Sequence, residues 1–206
     1  MNKRALVIIQ GINKEKRYMR TKNPVIKDFY KSYDAIEYSD TELVFDRGWF
    51  SIFFDKWDFI PYFLNGKKRQ AVCRLVNEKV AALQLLGYRV DIVAHSLGAV
   101  IAMQCGRKKS PLSINRMILL QSPMHNNIYG GYVRKKIKKY SDGLEVNYML
   151  STYNKKDKFV ASKPVKKFKK FMESLKSIYN KFTQLVAGNG HDWERVLEEL
   201  IVEGTV

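Results

Sequence analysis

Strand-like apolar runs alternate with helix-like periodic segments along most of the chain. The runs are short and rich in β-branched residues, whereas the segments between them repeat apolar side chains every three or four residues. Alternation of this kind is typical of a parallel sheet whose two faces are covered by helices. The sequence therefore predicts an α/β fold in a single domain over residues 1–206, with a mostly parallel sheet of about six strands.

The individual elements can be placed along the chain. Strands are expected at residues 5–9, 43–45, 89–94, 115–120, 146–150 and 183–187. Helices are expected from a cap at Asn23-Pro24 to Tyr33, and over residues 67–86, 99–105 and 193–202. Residues 163–182 are predicted to form one basic amphipathic helix. Its apolar stripe is expected to pack on the sheet, and binding to an anionic membrane is the alternative.

The composition fits a folded protein in a reducing compartment. Hydrophobic residues make up 46% and charged residues 28% of the chain, as in soluble domains. No apolar run is long enough to cross a bilayer, and the first residues lack the cleavage pattern of a signal peptide. Cys73 and Cys105 lack the spacing of a metal or redox motif and are predicted to be buried free thiols. We therefore expect a cytoplasmic protein.

The charge balance is strongly basic. The chain has 37 Lys and Arg against 20 Asp and Glu, a net charge of +17. Such a field attracts polyanions, including nucleic acid and anionic membrane surfaces. The lysines are scattered and no specific nucleic-acid-binding motif is present, so a solvated basic surface is the favoured interpretation and polyanion binding is the alternative.

Ser96 occupies the point where a predicted strand meets a predicted helix. An unperturbed alcohol is a poor nucleophile, and a catalytic serine needs an exposed position and a neighbouring base. A tight strand-to-helix turn supplies the exposure when the residues two before and two after the serine are small. Ala94 and Gly98 meet this requirement. The sequence therefore predicts Ser96 as a nucleophile.

Two backbone amides are candidates for stabilising an oxyanion. Leu97 begins the helix after Ser96, where N–H groups have no helical partner. Ile12 follows the first strand, and Gly11 before it supplies conformational freedom next to the substrate. The alternative for Gly11 is an ordinary turn glycine.

The chain contains three histidines, and one of them is favoured as the general base. His191 lies in a glycine-rich segment between the last strand and the last helix, from which a loop can deliver an imidazole to the sheet edge. His95 is expected to be structural or to line the pocket. His125 follows a strand end and is expected to line the pocket, with a role as the base left open.

An orienting carboxylate is expected between the serine and the histidine in the chain. Asp157 follows the strand that ends near residue 150 and fits this position. Asp142 precedes that strand and is expected at the opposite edge of the sheet. A solvated charge among lysines is the alternative reading of Asp157.

Residues 49–63 are dense with aromatic side chains and lack a clean period. This segment is a candidate pocket wall or small lid, with Trp49 and Phe53 as candidate substrate-binding residues. Packing in the core is the alternative, because aromatic side chains at helical spacing are commonly buried.

Taken together, these motifs resemble those of the α/β-hydrolase superfamily, most closely its minimal lidless lipases and esterases. The resemblance extends from about residue 5 to residue 200 and depends on residues 10–12, 46–48, 94–98, Asp157, Val160 and His191. It implies the single-domain α/β-hydrolase fold and a Ser-His-Asp triad. It implies no metal or organic cofactor.

The resemblance implies a mechanism as well. His191 would deprotonate Ser96, Asp157 would hold the imidazole, and water would hydrolyse the resulting acyl-enzyme. The expected substrate is a small-molecule or lipid ester or thioester. Two alternatives remain open at this stage: an amidase or acyltransferase with the same triad, and a protein of the same fold that binds a polyanion without turnover.

Overall fold

A six-stranded parallel sheet forms the centre of the protein. The computed structural model describes residues 4–9, 23–30, 32–36, 66–106, 111–125, 130–153, 166–186 and 193–205. The strands are β1 (Arg4–Ile9), β2 (Ser32–Ile36), β3 (Arg89–His95), β4 (Leu112–Leu120), β5 (Leu144–Tyr153) and β6 (Tyr179–Val186). Their order is β2-β1-β3-β4-β5-β6, and each neighbouring pair is parallel. The predicted fold class is confirmed.

Helices cover both faces of this sheet. They are α1 (Pro24–Phe29), α2 (Gly66–Leu85), α3 (Leu97–Ala102), α4 (Gly130–Tyr140), α5 (Lys166–Glu173) and α6 (Trp193–Val202). One core cluster contains buried residues of α2, α3, α4 and α5, and a second contains buried residues of α1 and α6. Within the described ranges, no helix is both long enough and apolar enough to cross a membrane.

Strand β1 shows why the apolar runs are continuous rather than alternating. Val7 belongs to the first core cluster, whereas Leu6 and Ile8 belong to the second. Successive side chains of a strand point to opposite faces, and both faces are buried here. An unbroken apolar run is therefore the expected sequence pattern for a central parallel strand.

The strand order places a crevice between β1 and β3. The chain forms β2 on one side of β1 and then crosses to form β3 on the other side. The connections leave β1 and β3 in opposite directions, so a crevice opens at the carboxyl ends of these two strands. Ile9 pairs with Ala94 in the sheet register. The crevice therefore lies beside the residue that follows β3 by one position, Ser96.

The first helix is shorter than predicted. It ends at Phe29, and Tyr33, predicted to be helical, lies in strand β2. Tyr30 has an extended backbone and its side chain is buried, so the chain leaves the helix there and joins the sheet next to β1. Pairing with β1 has thus outweighed the local helical pattern. The strand predicted at residues 43–45 lies outside the described residues.

The predicted basic helix over residues 163–182 is also corrected. Helix α5 ends at Glu173, a 3-10 turn occupies Lys176–Ile178, and β6 already begins at Tyr179. The apolar stripe of α5 is buried in the core, with Phe168 1% exposed. Phe182 fits the helical spacing only by coincidence, because it lies in strand β6, which pairs with β5.

Helix α4 was not anticipated from the sequence. Its apolar positions Val133 and Ile137 are buried, but lysines surround them in the sequence and obscure the pattern. The remaining predicted strands and helices agree with the structure to within a few residues, and α6 has the bounds expected of it.

A side-chain hydrogen bond joins the first and last helices. Asn23 caps α1 by accepting a hydrogen bond from the Val25 amide at 2.9 Å. Its amide nitrogen donates to the carboxylate of Glu198 in α6 at 2.7 Å. One asparagine therefore starts the first helix and connects it to the last.

A buried polar cluster connects α1 to strand β3. The Tyr30 hydroxyl donates to one oxygen of Asp91 at 3.1 Å, and the Asn115 side chain donates to the other at 2.6 Å. Burial raises the pKa of both Tyr30 and Asp91, although the two hydrogen bonds lower the pKa of the carboxyl group. This cluster joins the end of α1 to the first half of β3.

Both cysteines are buried free thiols, as predicted. The Cys73 thiol donates to the Gln104 carbonyl oxygen at 3.4 Å, and the Cys105 thiol donates to the Ile101 carbonyl oxygen at 3.1 Å. Both side chains belong to the core cluster under α2 and α3. They act as small hydrophobic residues with weak donors.

Candidate active site

Ser96 has a strained backbone at the junction of β3 and α3. Its φ is 54° and its ψ is −123°, a conformation that residues other than glycine rarely adopt. Such a conformation costs about 1–3 kcal/mol and is typically found at functional sites. The Ser96 amide is held by the Leu120 carbonyl oxygen at 2.9 Å, so the end of β4 stabilises the turn.

The exposure of Ser96 differs from that of its neighbours. Every residue from 90 to 106 is buried except Ser96, which is partly exposed. Ala94 and Gly98, two residues to either side, are both fully enclosed by the core. The turn thus presents one hydroxyl-bearing residue to the crevice while its flanks are buried. This is the arrangement that the small flanking residues predicted.

Leu97 is the first residue of α3 and is 4% exposed. The first four amide groups of a helix have no partner within the helix. The Leu97 N–H, directly after the serine, is therefore available to an oxygen atom that lies against the turn. This placement is the one required of the predicted oxyanion donor.

His95 is directed toward the neighbouring strand. It is 6% exposed, and its Nε2 lies 2.9 Å from Oε1 of Gln121. Gln121 follows β4 and is itself 1% exposed, with a φ of 49°. The two side chains join the carboxyl ends of β3 and β4. This contact gives His95 a structural role, and lining of the pocket stays a prediction.

His125 ends the 3-10 turn Pro123–His125 and is fully buried. Its Nε2 lies 2.9 Å from Oγ of Ser151, which joins the end of β4 to the end of β5. The ring centroid is 3.9 Å from that of Phe168. Burial, and then the charge of Arg134, lower the pKa of His125 from 6.5 to about 3. The imidazole is therefore neutral at physiological pH, and its contact with a substrate stays a prediction.

The low pKa of His125 predicts acid sensitivity. As the pH falls below 6.5 the unfolded chain binds a proton at His125, whereas the folded protein does so only near pH 3. Stability from this group is thus intact above pH 6.5 and is lost as the pH falls toward 3, by about 1.4 kcal/mol per pH unit. Urea unfolding at pH 6.5 and about pH 5 should show a loss about 2 kcal/mol greater in wild type than in His125→Gln. Equal losses would contradict a buried neutral imidazole.

Several predicted site residues lie outside the described part of the chain. These are Gly11, Ile12, Trp49, Phe53, Asp157 and His191. The strands that precede three of their segments are described, and they end at Ile9, Tyr153 and Val186. All six strands run in the same direction, so these ends lie at the edge of the sheet that carries Ser96. The positions of the side chains themselves stay predictions.

Two residues at this edge were missed in the sequence. Gln121 and Ser151 each hold a histidine across a pair of strands. The signal that points to Gln121 is a polar Gln-Ser pair directly after the apolar run of β4, at the end of the sheet where the nucleophile lies. Nothing in the local sequence indicates the positive φ of Gln121.

Metal-binding residues are not grouped in the part of the chain that the structure describes. No three His, Cys, Asp or Glu side chains there are placed to hold one ion.

Comparison with known proteins identifies the fold. No family model and no curated protein matches the chain. Solved structures do match: YahD with malic acid has a TM-score of 0.56 at 13% identity, covering 98% of this chain and 93% of that one. The carboxylesterase Cest-2923 from Lactobacillus plantarum WCFS1 has a TM-score of 0.55 at 8% identity, covering 99% and 84%.

A third match is an acetyl ester-xyloside bifunctional hydrolase from Caldicellulosiruptor lactoaceticus, with a TM-score of 0.51 at 12% identity, covering 100% of this chain and 85% of that one. These similarities agree with the strand order and the strained serine turn described above. The chain has the α/β-hydrolase fold. In this α/β-hydrolase fold, Ser96 occupies the turn after β3 at the switch in strand order.

Proposed function

We propose that the protein is a serine hydrolase that cleaves a carboxylic ester or thioester, with Ser96 as the nucleophile. The observation that carries this proposal is the conformation of Ser96. Its φ of 54° is maintained in a residue that is not glycine, at the one position between residues 90 and 106 that is not buried. Strain of this kind persists when it serves to present a reactive group.

His191 is the proposed general base, because the other two histidines are held by hydrogen bonds to other side chains. His95 is bonded to Gln121, and His125 is fully buried against Ser151 with a pKa near 3. A base that exchanges protons with a substrate needs access and a pKa closer to neutrality. Of the three histidines in the sequence, this leaves His191 as the proposed base.

Asp157 is the proposed orienting carboxylate. It follows the end of β5 at Tyr153 by four residues, and His191 follows the end of β6 at Val186 by five. Strands β5 and β6 are parallel neighbours, so both segments begin at one edge. Segments of this length reach about 13–18 Å when extended, enough to approach the crevice.

The proposed reaction follows from these roles. His191 takes the proton of the Ser96 hydroxyl as the oxygen attacks the substrate carbonyl, and Asp157 stabilises the imidazolium. The amides of Leu97 and Ile12 stabilise the oxyanion. The alcohol or thiol leaves with the proton from His191, and water then releases the acid from the acyl-enzyme by the same route.

Substrate contacts are proposed for the acyl group and for the remaining wall of the pocket. Two of the structural matches bear names that contain an ester-cleaving activity, a carboxylesterase and an acetyl ester-xyloside hydrolase. By analogy we propose a small-molecule or lipid ester substrate for this chain. Its acyl group would contact Trp49 and Phe53, with Gly11, His95 and His125 lining the remaining wall.

A fluorophosphonate probe tests the proposal directly. Such probes phosphonylate an activated serine, so wild-type protein should be labelled at Ser96, as located by peptide mass spectrometry. Ser96→Ala should remain unlabelled while keeping the wild-type circular dichroism spectrum. An unlabelled but folded wild type would refute the proposal, as would equal labelling of both proteins.

Binding of a polyanion is a second candidate function, favoured by the distribution of lysine. Helices α4 and α5 lie on the same face of the sheet, and α4 has no acidic residue. Their exposed lysines are Lys135, Lys138, Lys139, Lys167, Lys169 and Lys170. Tight, steeply salt-dependent binding to anionic vesicles or DNA, unchanged by Ser96→Ala and without any turnover, would favour this candidate over the hydrolase.

A further inference from the structure

We propose that Gln121 is a positioning residue for the nucleophile: its side chain holds His95 and thereby fixes the backbone of Ser96. The inference rests on the proposed function of Ser96. Gln121 acts through its neighbour, His95.

Two strained residues lie side by side at the carboxyl edge of the sheet. Among the described residues other than glycine, positive φ values occur at Ser96 and Gln121, 54° and 49°. They follow the adjacent strands β3 and β4, whose last residues His95 and Leu120 are paired in register. The two turns are therefore built against each other rather than independently.

Two hydrogen bonds join these turns. The Ser96 amide donates to the Leu120 carbonyl oxygen at 2.9 Å, which connects backbone to backbone. The His95 and Gln121 side chains meet at 2.9 Å, which connects the residue before the nucleophile to the residue after β4. A rotation of either turn would break both bonds. The orientation of Ser96 is thus coupled to the conformation of Gln121.

The chemistry of the pair fixes the form of the imidazole. A carbonyl oxygen such as Gln121 Oε1 only accepts hydrogen bonds, so His95 must carry a proton on Nε2. His95 is 6% exposed and Gln121 is 1% exposed, so water does not replace this bond readily when it is broken. The glutamine therefore selects one ring orientation and one protonated nitrogen of His95.

A carbonyl acceptor at position 121 can be removed and restored with little change of volume. Gln121→Met keeps the length and the β-carbon of the side chain and removes the acceptor. Gln121→Glu restores an oxygen acceptor for His95 at the same reach. Gln121→Asn keeps the amide but shortens it, and serves if the methionine variant does not fold.

A control must lose a buried hydrogen bond without disturbing the serine turn. Tyr30→Phe removes the bond to Asp91, which lies five residues before Ser96 in β3. Tyr30 is 2% exposed, so this change resembles the loss at Gln121 in burial. A purely structural effect of Gln121 would be reproduced by this control.

The test measures the rate constant of fluorophosphonate labelling in folded protein at 25 °C. Gln121→Met should be labelled about tenfold or more slowly than wild type, because small displacements of a reacting atom are costly. Gln121→Glu should stay within about threefold of wild type and Tyr30→Phe should be unchanged. In nitrogen-15 spectra, the protonated Nε2 of His95 should be seen in wild type and should exchange faster with solvent in Gln121→Met.

The other outcomes are equally decisive. Labelling of Gln121→Met at the wild-type rate overturns the inference and leaves the hydrolase proposal intact. Equal slowing of Gln121→Met and Tyr30→Phe also overturns it, because the effect would then be one of stability. A folded wild type that is not labelled refutes the proposed function, and the inference fails with it.

Discussion

Replacing His191 with alanine is expected to lower kcat for ester hydrolysis by about 10³–10⁶-fold. The serine hydroxyl attacks efficiently only when a base accepts its proton, so either partner alone contributes little. The double variant Ser96→Ala/His191→Ala should therefore be no slower than the slower single variant. Initial rates on a panel of nitrophenyl esters of different chain length would measure this. Additive losses in the double variant would contradict a shared step.

The same assay separates the two candidate acids. Asp157→Asn is expected to lower kcat by about 10²–10⁴-fold, because the imidazole loses its orienting charge. Asp142 is an exposed aspartate that precedes β5, at the opposite edge of the sheet. Asp142→Asn should leave kcat unchanged and is the matched control. Loss of activity in Asp142→Asn with retention in Asp157→Asn would reverse the assignment.

Gly106→Ala is expected to destabilise the fold by about 3 kcal/mol or more. A β-carbon at this position would overlap the backbone of Leu144, at both its amide nitrogen and its α-carbon. Backbone atoms at the start of a central strand cannot move aside as a flexible side chain does, so β5 would have to shift. Urea unfolding should show a much lower midpoint, or the variant should fail to fold.

Gly131→Ala provides the control for this substitution. Gly131 lies in α4, and the nearest atom to an added β-carbon is Nη2 of Arg134 at 3.9 Å, an ordinary contact. Alanine is a better helix former than glycine by up to about 1 kcal/mol, so the stability should be unchanged or slightly increased. A comparable loss at both glycines would show that the close approach to Leu144 is not the cause.

The parts of the fold that could be predicted are those where one physical effect dominates. Strand β3 is buried on both faces, so its continuous apolar run predicts it. The turn after it is predicted by Ser96 and the small residues Ala94 and Gly98 on either side. Helix α6 has a strong amphipathic period and agrees with its predicted bounds. Local pattern and tertiary packing give the same answer at these places.

The parts that were mispredicted are those where two patterns overlap. Tyr33 and Phe182 each continue a helical spacing although the chain has already entered an edge region of the sheet. A short segment with few apolar residues imitates a helix over one or two turns when those residues fall at helical spacing. The contact between His95 and Gln121 joins residues 26 positions apart, and no local pattern reports it.

The hydrogen bond from Asn23 to Glu198 has a consequence for the heat tolerance of activity. Asn23 stands at the end of the segment that contains Gly11 and Ile12, and α6 begins directly after the segment that contains His191. One 2.7 Å contact therefore joins the helices that follow these two segments. We expect Asn23→Ala to be inactivated on warming before the sheet unfolds, because the helices that follow two segments of the proposed site lose this contact while the core keeps its packing.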